Sequence, residues 1–217
     1  LAGMGGVGGI YALALARMGV GRFVIADGDH FELANFNRQM GADRETIGRN
    51  KAAVLKERIQ AIQPDAEVCA CPVHIDGSNI SSFLKGADVV VDGIETFSVP
   101  AHRLLCRESR RRSLPVIMAA PLGFSAAMLV FGPDGMDADS YFDWHDAQSS
   151  FEQIVNFAIG LAPAGLHLGT IDLNFVDIDR RVGPSNIAAC LLCAGLVATE
   201  VVRLLLHRPG ARLAPQY

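Results

Sequence analysis

Near the start of the chain the sequence reads Gly3-Met4-Gly5-Gly6-Val7-Gly8-Gly9, and this stretch decides the fold. It contains the pattern G-x-G-x-x-G, in which glycine lets the backbone turn tightly and approach a phosphate without a Cβ in the way. A helix that follows such a turn offers free N–H groups and the positive end of its dipole to an anion. The stretch therefore predicts a nucleotide-phosphate site, although the same turn can also serve only to pack a helix on a sheet.

The segments around this turn alternate between helix and strand patterns. A helix is predicted over 10–18, and a short apolar strand over 22–26 leads into Asp27, nineteen residues after Gly8. An acid at that place can accept hydrogen bonds from ribose hydroxyls. Further helices are predicted over 50–62, 79–84, 100–111, 149–159 and 184–206, and further strands over 67–75, 88–91, 115–119 and 124–131, with one more near Leu173. This order predicts a Rossmann-like α/β fold, with a mainly parallel sheet flanked by helices and a mixed-sheet C-terminal part.

The composition sets limits on the class of protein. The 217 residues are 50% apolar and 19% charged, which excludes a disordered chain and predicts one globular domain. A net charge of −4 argues against a nucleic-acid partner, because nucleic acids select a basic surface. An odd number of cysteines and the lack of a signal-peptide pattern lead us to expect a cytoplasmic location. Residues 187–199 carry no charge but are too few to cross a bilayer of about 30 Å, which predicts a buried core helix and no membrane contact.

The stretch after the second predicted strand carries charged and amide side chains at a specific spacing. It reads D-G-D-H-F-E-L-A-N-F-N-R-Q over residues 27–39, and Lys51 follows at the start of a predicted helix. Together with the glycine turn, this arrangement resembles the ThiF/MoeB/HesA family of adenylating enzymes, which are related to ubiquitin activators. The family's pattern is a GxGGxG turn, then DxDxVxxxNLxRQ, then a GxxKA lysine, then an Asp after a later strand. The resemblance covers nearly the whole chain.

The resemblance implies that the chain binds ATP and Mg²⁺ and adenylates a carboxylate, with release of pyrophosphate. Asp27 would bind the ribose, while Arg38 and Lys51 would face the phosphates as catalytic residues. An arginine makes forked bonds to phosphate oxygens, whereas a lysine acts as a compact point charge. The nucleotide-binding residues implied in this way are Gly3, Gly5, Gly6, Gly8, Asp27, Asp29, Asn35, Arg38, Gln39 and Lys51.

The expected metal ligand departs from the family's pattern. Glu95 stands where the family has its magnesium-binding Asp, and Thr96 replaces the asparagine that follows. Glutamate can ligate Mg²⁺, but its extra methylene moves the carboxylate by about 1 Å, which can cost about 10²-fold in rate. We therefore predict Glu95 as the catalytic Mg²⁺ ligand, with Asp92 as an alternative. The departure also leaves open a degenerate scaffold subunit, and an NAD(P)-dependent oxidoreductase is a third, less favoured interpretation.

The remaining cysteines and aromatic residues are less informative. Cys69 and Cys71 alternate on a predicted strand, and Cys190 and Cys193 lie in the apolar C-terminal helix. A closed zinc site needs four ligands, so we expect packed thiols and no zinc site. The polar loop 134–146 holds Met136, Tyr141, Phe142 and Trp144, which indicates either a contact surface or lid, or a loop that folds back on its own domain.

The resemblance also implies partners and a domain boundary. The substrate would be a ubiquitin-like sulfur-carrier protein or a peptide, and the chain would form a homodimer. Residues 1–217 would form a single ThiF-type adenylation domain, short of a strand and a helix that the family places before the glycine turn. No strand pattern is visible before Gly3, although such a turn needs one.

Overall fold

A computed structural model describes residues 1–180 and 183–216, and it has the predicted alternation of helices and strands. The helices are α1 (Gly8–Arg17), α2 (Lys51–Ile62), α3 (Ile80–Phe83), α4 (Val99–Arg111), α5 (Ala138–Tyr141), α6 (Ser150–Leu161) and α7 (Ile187–Leu205). The strands are β1 (Arg22–Ala26), β2 (Glu67–Cys71), β3 (Val90–Asp92), β4 (Val116–Leu122) and β5 (Ser125–Phe131).

The sheet is parallel except at one edge. β1 pairs with β2 and β3 pairs with β4 in parallel, whereas β4 and β5 form an antiparallel hairpin. Residues 1–3 join the two halves, because the Ala2 N–H donates to the Val91 carbonyl at 3.0 Å and the Gly3 N–H donates to the Ala26 carbonyl at 2.8 Å. The extended segment that the glycine turn needs is therefore present between β1 and β3. Residues 1–3 are too few to show the alternation of apolar and polar residues that marks a strand, so the sequence pattern alone does not reveal this segment.

Helices cover both faces of the sheet and enclose two apolar clusters. On one face α1, α2 and α7 pack together, with Tyr11 and Leu55 fully buried among them. On the other face α3, α4 and α6 enclose a cluster that includes Leu105 and Phe157. Because β1 and β3 are covered on both sides, their continuous apolar runs are the pattern expected for buried parallel strands.

The loop 134–146 folds back onto its own domain. Phe142 and Trp144 are 1% and 2% exposed, with ring centroids 4.5 Å apart, and Phe157 of α6 packs against both. The Trp144 indole N–H donates to the Gln153 carbonyl at 3.0 Å, which satisfies its polar atom inside the core. Of the two interpretations that the sequence leaves open, the structure supports a loop that completes the core.

Helix α7 extends beyond the charge-free stretch 187–199 from which its length was judged. It has 19 residues and is long and apolar enough, by length and composition alone, to span a membrane, so the length argument from the sequence was wrong. Of its most apolar 18-residue window, 44% is buried inside the protein, where it packs on α1, β4 and β5. This packing supports the predicted core helix. α7 begins at Ile187 rather than Pro184, because the Asn186 side chain caps it by accepting the Ala189 N–H.

Other differences from the predicted elements have local causes. β2 ends at Cys71, since Pro72 lacks the N–H that would continue the ladder. The strand predicted near Leu173 is wrong, because residues 173–175 form a 3₁₀ turn. Cys69 is exposed rather than packed, whereas Cys190 and Cys193 are buried in α7 as expected.

Candidate functional site

The glycines of the turn fall into two classes. A Cβ on Gly8 would lie 1.8 Å from the Gly3 carbonyl oxygen, and one on Gly3 would lie 2.3 Å from the Gly93 carbonyl oxygen. These two positions need glycine because the backbone segments touch. Gly5 and Gly6 have no such constraint, since the nearest atoms to a Cβ there are side-chain atoms at 3.8 Å and 3.4 Å. Both residues are partly exposed, so solvent-filled space adjoins their backbone at the surface of the turn.

The amino end of α1 faces that space without a protein anion. Val7 provides no side-chain cap, and the first turn of α1 holds no acidic residue. Within the described ranges, the N–H groups of Gly5 and Gly6 have no protein acceptor. Unsatisfied N–H groups at a helix N-terminus form a site for phosphate.

Asp27 ties the turn to the end of β1. Its carboxylate accepts the Met4 N–H at 2.6 Å and the Asp29 N–H at 2.8 Å, and the residue is 7% exposed. A carboxylate has about four acceptor positions, so these two bonds leave capacity for a ribose hydroxyl. Asp27 therefore shapes the glycine turn in addition to any contact with a ligand.

Arg38 and Gln39 close the other side of the open space. The aliphatic part of the Arg38 side chain lies at van der Waals contact distance from the position that a Gly6 Cβ would occupy. Its guanidinium bonds only to the Ala34 carbonyl at 3.4 Å and the Asn37 side chain at 3.0 Å, and no carboxylate lies within salt-bridge distance in the described part of the chain. Gln39 is 6% exposed, yet its Oε1 atom has no hydrogen-bond partner. A buried polar atom without a partner is costly. The Gln39 atom nearest to the position of a Gly5 Cβ is Nε2, at 3.8 Å.

Lys51 is held in place by Asp29. The Lys51 side chain is 8% exposed, and its Nζ lies 3.1 Å from the Asp29 carboxylate. The other carboxylate oxygen of Asp29 lies 3.4 Å from Nε2 of His74, which follows β2. The ammonium is therefore already paired, and its charge is shared with that carboxylate.

Asn35 has a local task in this structure. Its side-chain oxygen accepts the Glu32 N–H at 3.0 Å, which caps the 3₁₀ turn at Leu33–Asn35. This bond fixes the loop that carries Arg38 and Gln39. The structure thus brings together the glycine turn, Asp27, Arg38 and Gln39, with the Asp29–Lys51 pair beside them, and it gives Asn35 a supporting position.

The two candidate metal ligands have different environments. Asp92 is 2% exposed, and its oxygens are bonded to the Ile94 N–H at 3.0 Å and to Nδ1 of His102 at 2.7 Å. Glu95 is exposed, and its oxygens accept the Phe97 N–H at 3.0 Å and the Ser98 hydroxyl at 3.2 Å. No cluster of three or more metal-ligating side chains occurs among residues 1–180 and 183–216. A carboxylate that joins phosphate oxygens in holding Mg²⁺ must be accessible, which favours Glu95 over Asp92.

Three residues near the site have no functional role predicted from the sequence. His102 bonds Asp92 and also lies 3.1 Å from the Glu95 carbonyl through Nε2. His74 lies against Gly28, where a Cβ would come within 2.6 Å of its ring. Cys190, at the start of α7, lies 3.5 Å from the position of a Gly6 Cβ. For His74 a signal exists, because the carboxyl ends of the parallel neighbours β1 and β2 must meet at one edge of the sheet.

Comparison with known proteins shows the family of the chain. The sequence profile of the ThiF family matches residues 1–217, the whole chain. The tRNA threonylcarbamoyladenosine dehydratase of Bacillus subtilis (strain 168) is 38% identical over 116 residues, which are 53% of this chain and 45% of that protein. The sulfur carrier protein ThiS adenylyltransferase of Escherichia coli (strain K12) is 32% identical over 131 residues, 60% of this chain and 51% of that protein. The chain spans about half the length of these curated relatives.

A solved structure shows the same architecture. The E. coli tRNA N6-threonylcarbamoyladenosine dehydratase in complex with AMP superposes with a TM-score of 0.65 at 20% identity, covering 95% of this chain and 85% of that one. Likeness at this level of identity shows the fold, and it confirms the predicted Rossmann-like α/β architecture. Because the family profile spans the whole chain and the fold agrees with it, this protein belongs to the ThiF family.

Proposed function

We propose that this chain binds ATP at the glycine turn and transfers its AMP group to a carboxylate, releasing pyrophosphate. The observation that carries the proposal is the exposed backbone at Gly5 and Gly6, whose N–H groups have no acceptor among the described residues. The Arg38 side chain packs beside Gly6, and its guanidinium has no carboxylate partner in the same described part of the chain. A triphosphate fits this space because it is anionic and accepts several hydrogen bonds at once. The Gln39 Nε2 atom, 3.8 Å from the position of a Gly5 Cβ, would add a donor beside the phosphates.

In this proposal, positioning and electrostatics supply the rate. The N–H groups of the turn and the Arg38 guanidinium would hold the phosphate oxygens and stabilise the charge that develops there. Lys51 adds a positive charge whose position is set by Asp29. The substrate carboxylate would attack the α-phosphorus, so no nucleophile from the protein is required.

Mg²⁺ would neutralise part of the charge of the triphosphate and its leaving group. Glu95 fits this task by chemistry and exposure, since Mg²⁺ is commonly held by one or two carboxylates together with phosphate oxygens. Its present bonds to the Phe97 N–H and the Ser98 hydroxyl orient the carboxylate at the entrance of α4.

For the acyl substrate we propose a ubiquitin-like sulfur-carrier protein or the C-terminus of a peptide. The similarity to an adenylyltransferase that acts on the sulfur carrier ThiS supports this class. A net charge of −4 gives no electrostatic attraction to tRNA, the substrate named for the dehydratase relative. Residues 121–189 contain no cysteine, so we propose release of the acyl-adenylate rather than a thioester with a cysteine of this segment. A homodimer is part of the same proposal.

A second candidate function is a scaffold subunit without catalysis. The specific observation in its favour is that both Glu95 oxygens already serve the backbone and side chain at the start of α4. A residue kept only for this capping would not need to bind a metal.

ATP–pyrophosphate exchange tests the proposal. The protein would be incubated with ATP, Mg²⁺ and labelled pyrophosphate, together with a panel of sulfur-carrier proteins and carboxyl-terminal peptides. We expect exchange above background with at least one of them. ATP binding without exchange for any candidate would favour the scaffold, and binding of NAD but not ATP in calorimetry would refute the proposed site.

Replacing Glu95 by glutamine is expected to lower the exchange rate by at least about 10–100-fold and to raise the Mg²⁺ requirement, because the amide carries no charge for the metal. Exchange would be measured across a Mg²⁺ titration. Glu45→Gln, a similar change at an exposed glutamate, is the matched control and should leave both quantities unchanged. An E95Q protein with normal exchange at every Mg²⁺ concentration would remove Glu95 from the site.

Alanine at Gly5 and alanine at Gly8 should change different properties of the protein, ATP affinity in the first case and stability in the second. G5A is expected to keep the free energy of unfolding within about 0.5 kcal/mol, yet to weaken ATP binding at least about tenfold, because a methyl group takes space that a phosphate needs. G8A should lower the free energy of unfolding by about 1–3 kcal/mol, because its Cβ would collide with backbone. Urea unfolding and calorimetry measure the two quantities. Unchanged ATP affinity in a folded G5A protein would contradict the proposed phosphate position.

A further inference from the structure

Two thiols lie side by side on the outer strand of the sheet. Cys69 and Cys71 are two residues apart on β2, so their side chains point to the same face. Their Sγ atoms are 4.0 Å apart, Cys69 is exposed, and Cys71 is half-buried. Within the described residues the ladder partner of β2 is β1, so β2 is an edge strand. We propose that Cys69 and Cys71 form a bidentate binding site for a thiophilic d¹⁰ metal ion such as Zn²⁺ or Cu⁺.

The distance between the two sulfurs matches a shared metal. With metal–sulfur bonds of about 2.3 Å, two sulfurs 4.0 Å apart subtend an angle of about 120° at the ion. This angle lies close to the values for trigonal and tetrahedral coordination. Thiolates select soft ions such as Cu⁺, and also Zn²⁺, over Mg²⁺ and Ca²⁺, which prefer oxygen.

The same geometry is poorly suited to a disulfide. Two residues of an extended strand span about 6.6–6.8 Å between Cα atoms, which is at the upper limit of about 6.8 Å for a disulfide. The sulfurs would also have to approach from 4.0 Å to about 2.05 Å. The parallel ladder with β1 opposes such a contraction, because Val24 and Ala26 are in register with the two cysteines. A metal can bridge the thiols without moving the strand.

Metal binding at the pair must displace protons from the thiols. Burial and the neighbouring Cys69 raise the pKa of the Cys71 thiol, so without a metal the pair resists forming two adjacent thiolates, which repel each other. A bound cation removes that repulsion and displaces the protons. Two S–H bonds break, two metal–sulfur bonds form, and two protons pass to the buffer. The remaining coordination positions open to solvent at Cys69, which distinguishes this site from a closed structural zinc centre.

Cadmium titration of the reduced protein tests the site. The protein would be reduced with a phosphine, freed of metal, and titrated with Cd²⁺ while the ultraviolet sulfur-to-cadmium charge-transfer absorbance is followed. We expect a stoichiometry of one Cd²⁺ per chain, release of two protons, and competition by a large excess of Zn²⁺. Cys69→Ser and Cys71→Ser should each weaken binding by more than about tenfold, since even outer-shell partners of metal ligands contribute 10–100-fold.

The other cysteine pair supplies the matched control. Cys190 and Cys193 are buried in α7, and the C190A/C193A protein should bind Cd²⁺ with the wild-type affinity and stoichiometry. Far-ultraviolet circular dichroism of each variant would show that it is folded. The proposal is overturned if C69S and C71S bind Cd²⁺ like the wild type, if no charge-transfer band forms, or if the folded pair oxidises to a disulfide faster than it binds metal.

Discussion

Arg38→Ala is expected to weaken ATP binding by about 10–100-fold, corresponding to the roughly 1.5–3 kcal/mol of a hydrogen bond to a charged group. The aliphatic part of the Arg38 side chain lies beside Gly6, and no carboxylate among the described residues competes for its guanidinium. Among the described residues it bonds to a carbonyl and an amide oxygen of its own loop, so its charge is available to a phosphate. Calorimetry with ATP and Mg²⁺ measures the affinity without needing the acyl substrate.

Two further variants separate charge from geometry at this position. Arg38→Lys keeps the charge but loses the planar fork, and it should recover only part of the affinity. Arg44→Ala, six residues along the same loop and exposed, is the matched control and should bind ATP normally. The free energy of unfolding should change by less than about 0.5 kcal/mol in each case. An R38A protein that binds ATP as tightly as R44A would show that the phosphates lie elsewhere.

The parts of the fold with short-range signals could be predicted from the sequence. β1 matches its predicted range, because an apolar run is bounded by Gly21 and Asp27. α2 begins where Asn50 caps it and ends just before Pro64. The grouping of the glycine turn with Asp27 also follows from the sequence, since the carboxyl ends of parallel strands meet at one edge. These signals are local or topological, and neither kind requires knowledge of side-chain packing.

The parts that could not be predicted depend on contacts between distant segments. Whether Trp144 of a polar loop covers the core or faces a partner depends on α6, which supplies Phe157 and the Gln153 carbonyl. The exposure of Cys69 depends on β2 being an edge strand, whereas alternation alone indicates only which residues share a face. The pairing of Lys51 with Asp29 likewise arises from tertiary structure.

A consequence for the site is that its charges are arranged in two groups. Lys51 is buried against Asp29, so its charge is set before any ligand arrives, whereas Arg38 has no carboxylate partner in the described ranges. A paired ammonium is held in a fixed position, but its partner carboxylate neutralises part of the charge that it offers to a phosphate. A guanidinium without a carboxylate partner offers its full charge. The ligand contact that depends most on a single side chain is therefore expected at Arg38.

The second large effect is expected at His102, where replacement by alanine should lower the free energy of unfolding by about 3–5 kcal/mol. The ring is fully buried between Asp92 of β3 and Phe157 of α6, whose ring centroid lies 4.7 Å away. Nδ1 lies 2.7 Å from the Asp92 carboxylate and Nε2 lies 3.1 Å from the Glu95 carbonyl. Because both partners are acceptors, donation from both ring nitrogens requires the protonated ring, so these two bonds favour the imidazolium form. Removing it leaves Asp92 buried without its counter-charge.

The contribution of His102 should also depend on pH in a defined direction. Burial alone would lower its pKa, but the charge of Asp92 and the hydrogen bonds to Asp92 and the Glu95 carbonyl outweigh it, so the pKa lies above 6.5. A group whose pKa is raised by folding stabilises fully below its unfolded pKa and loses that stabilisation as pH rises through the folded pKa. The wild type should therefore lose stability relative to H102A as pH increases above about 6.5. Urea unfolding at a series of pH values, in the presence of a chelator, measures the difference.

An exposed pair of the same kind provides the control that isolates burial. His145 lies 2.8 Å from Asp143, but their side chains are 66% and 74% exposed. His145→Ala should therefore cost less than about 1 kcal/mol, because an exposed ion pair is weakened by water and salt. The cycle of D92N, H102A and the double variant measures the coupling, expected at about 0.5–3 kcal/mol. If H102A and H145A lower the free energy of unfolding by the same amount, or if the effect of H102A is constant from pH 5.5 to 9, a charged His102 does not bridge Asp92 of β3 and the Glu95 carbonyl. In that case the ring acts only as a packed, neutral side chain beside Phe157.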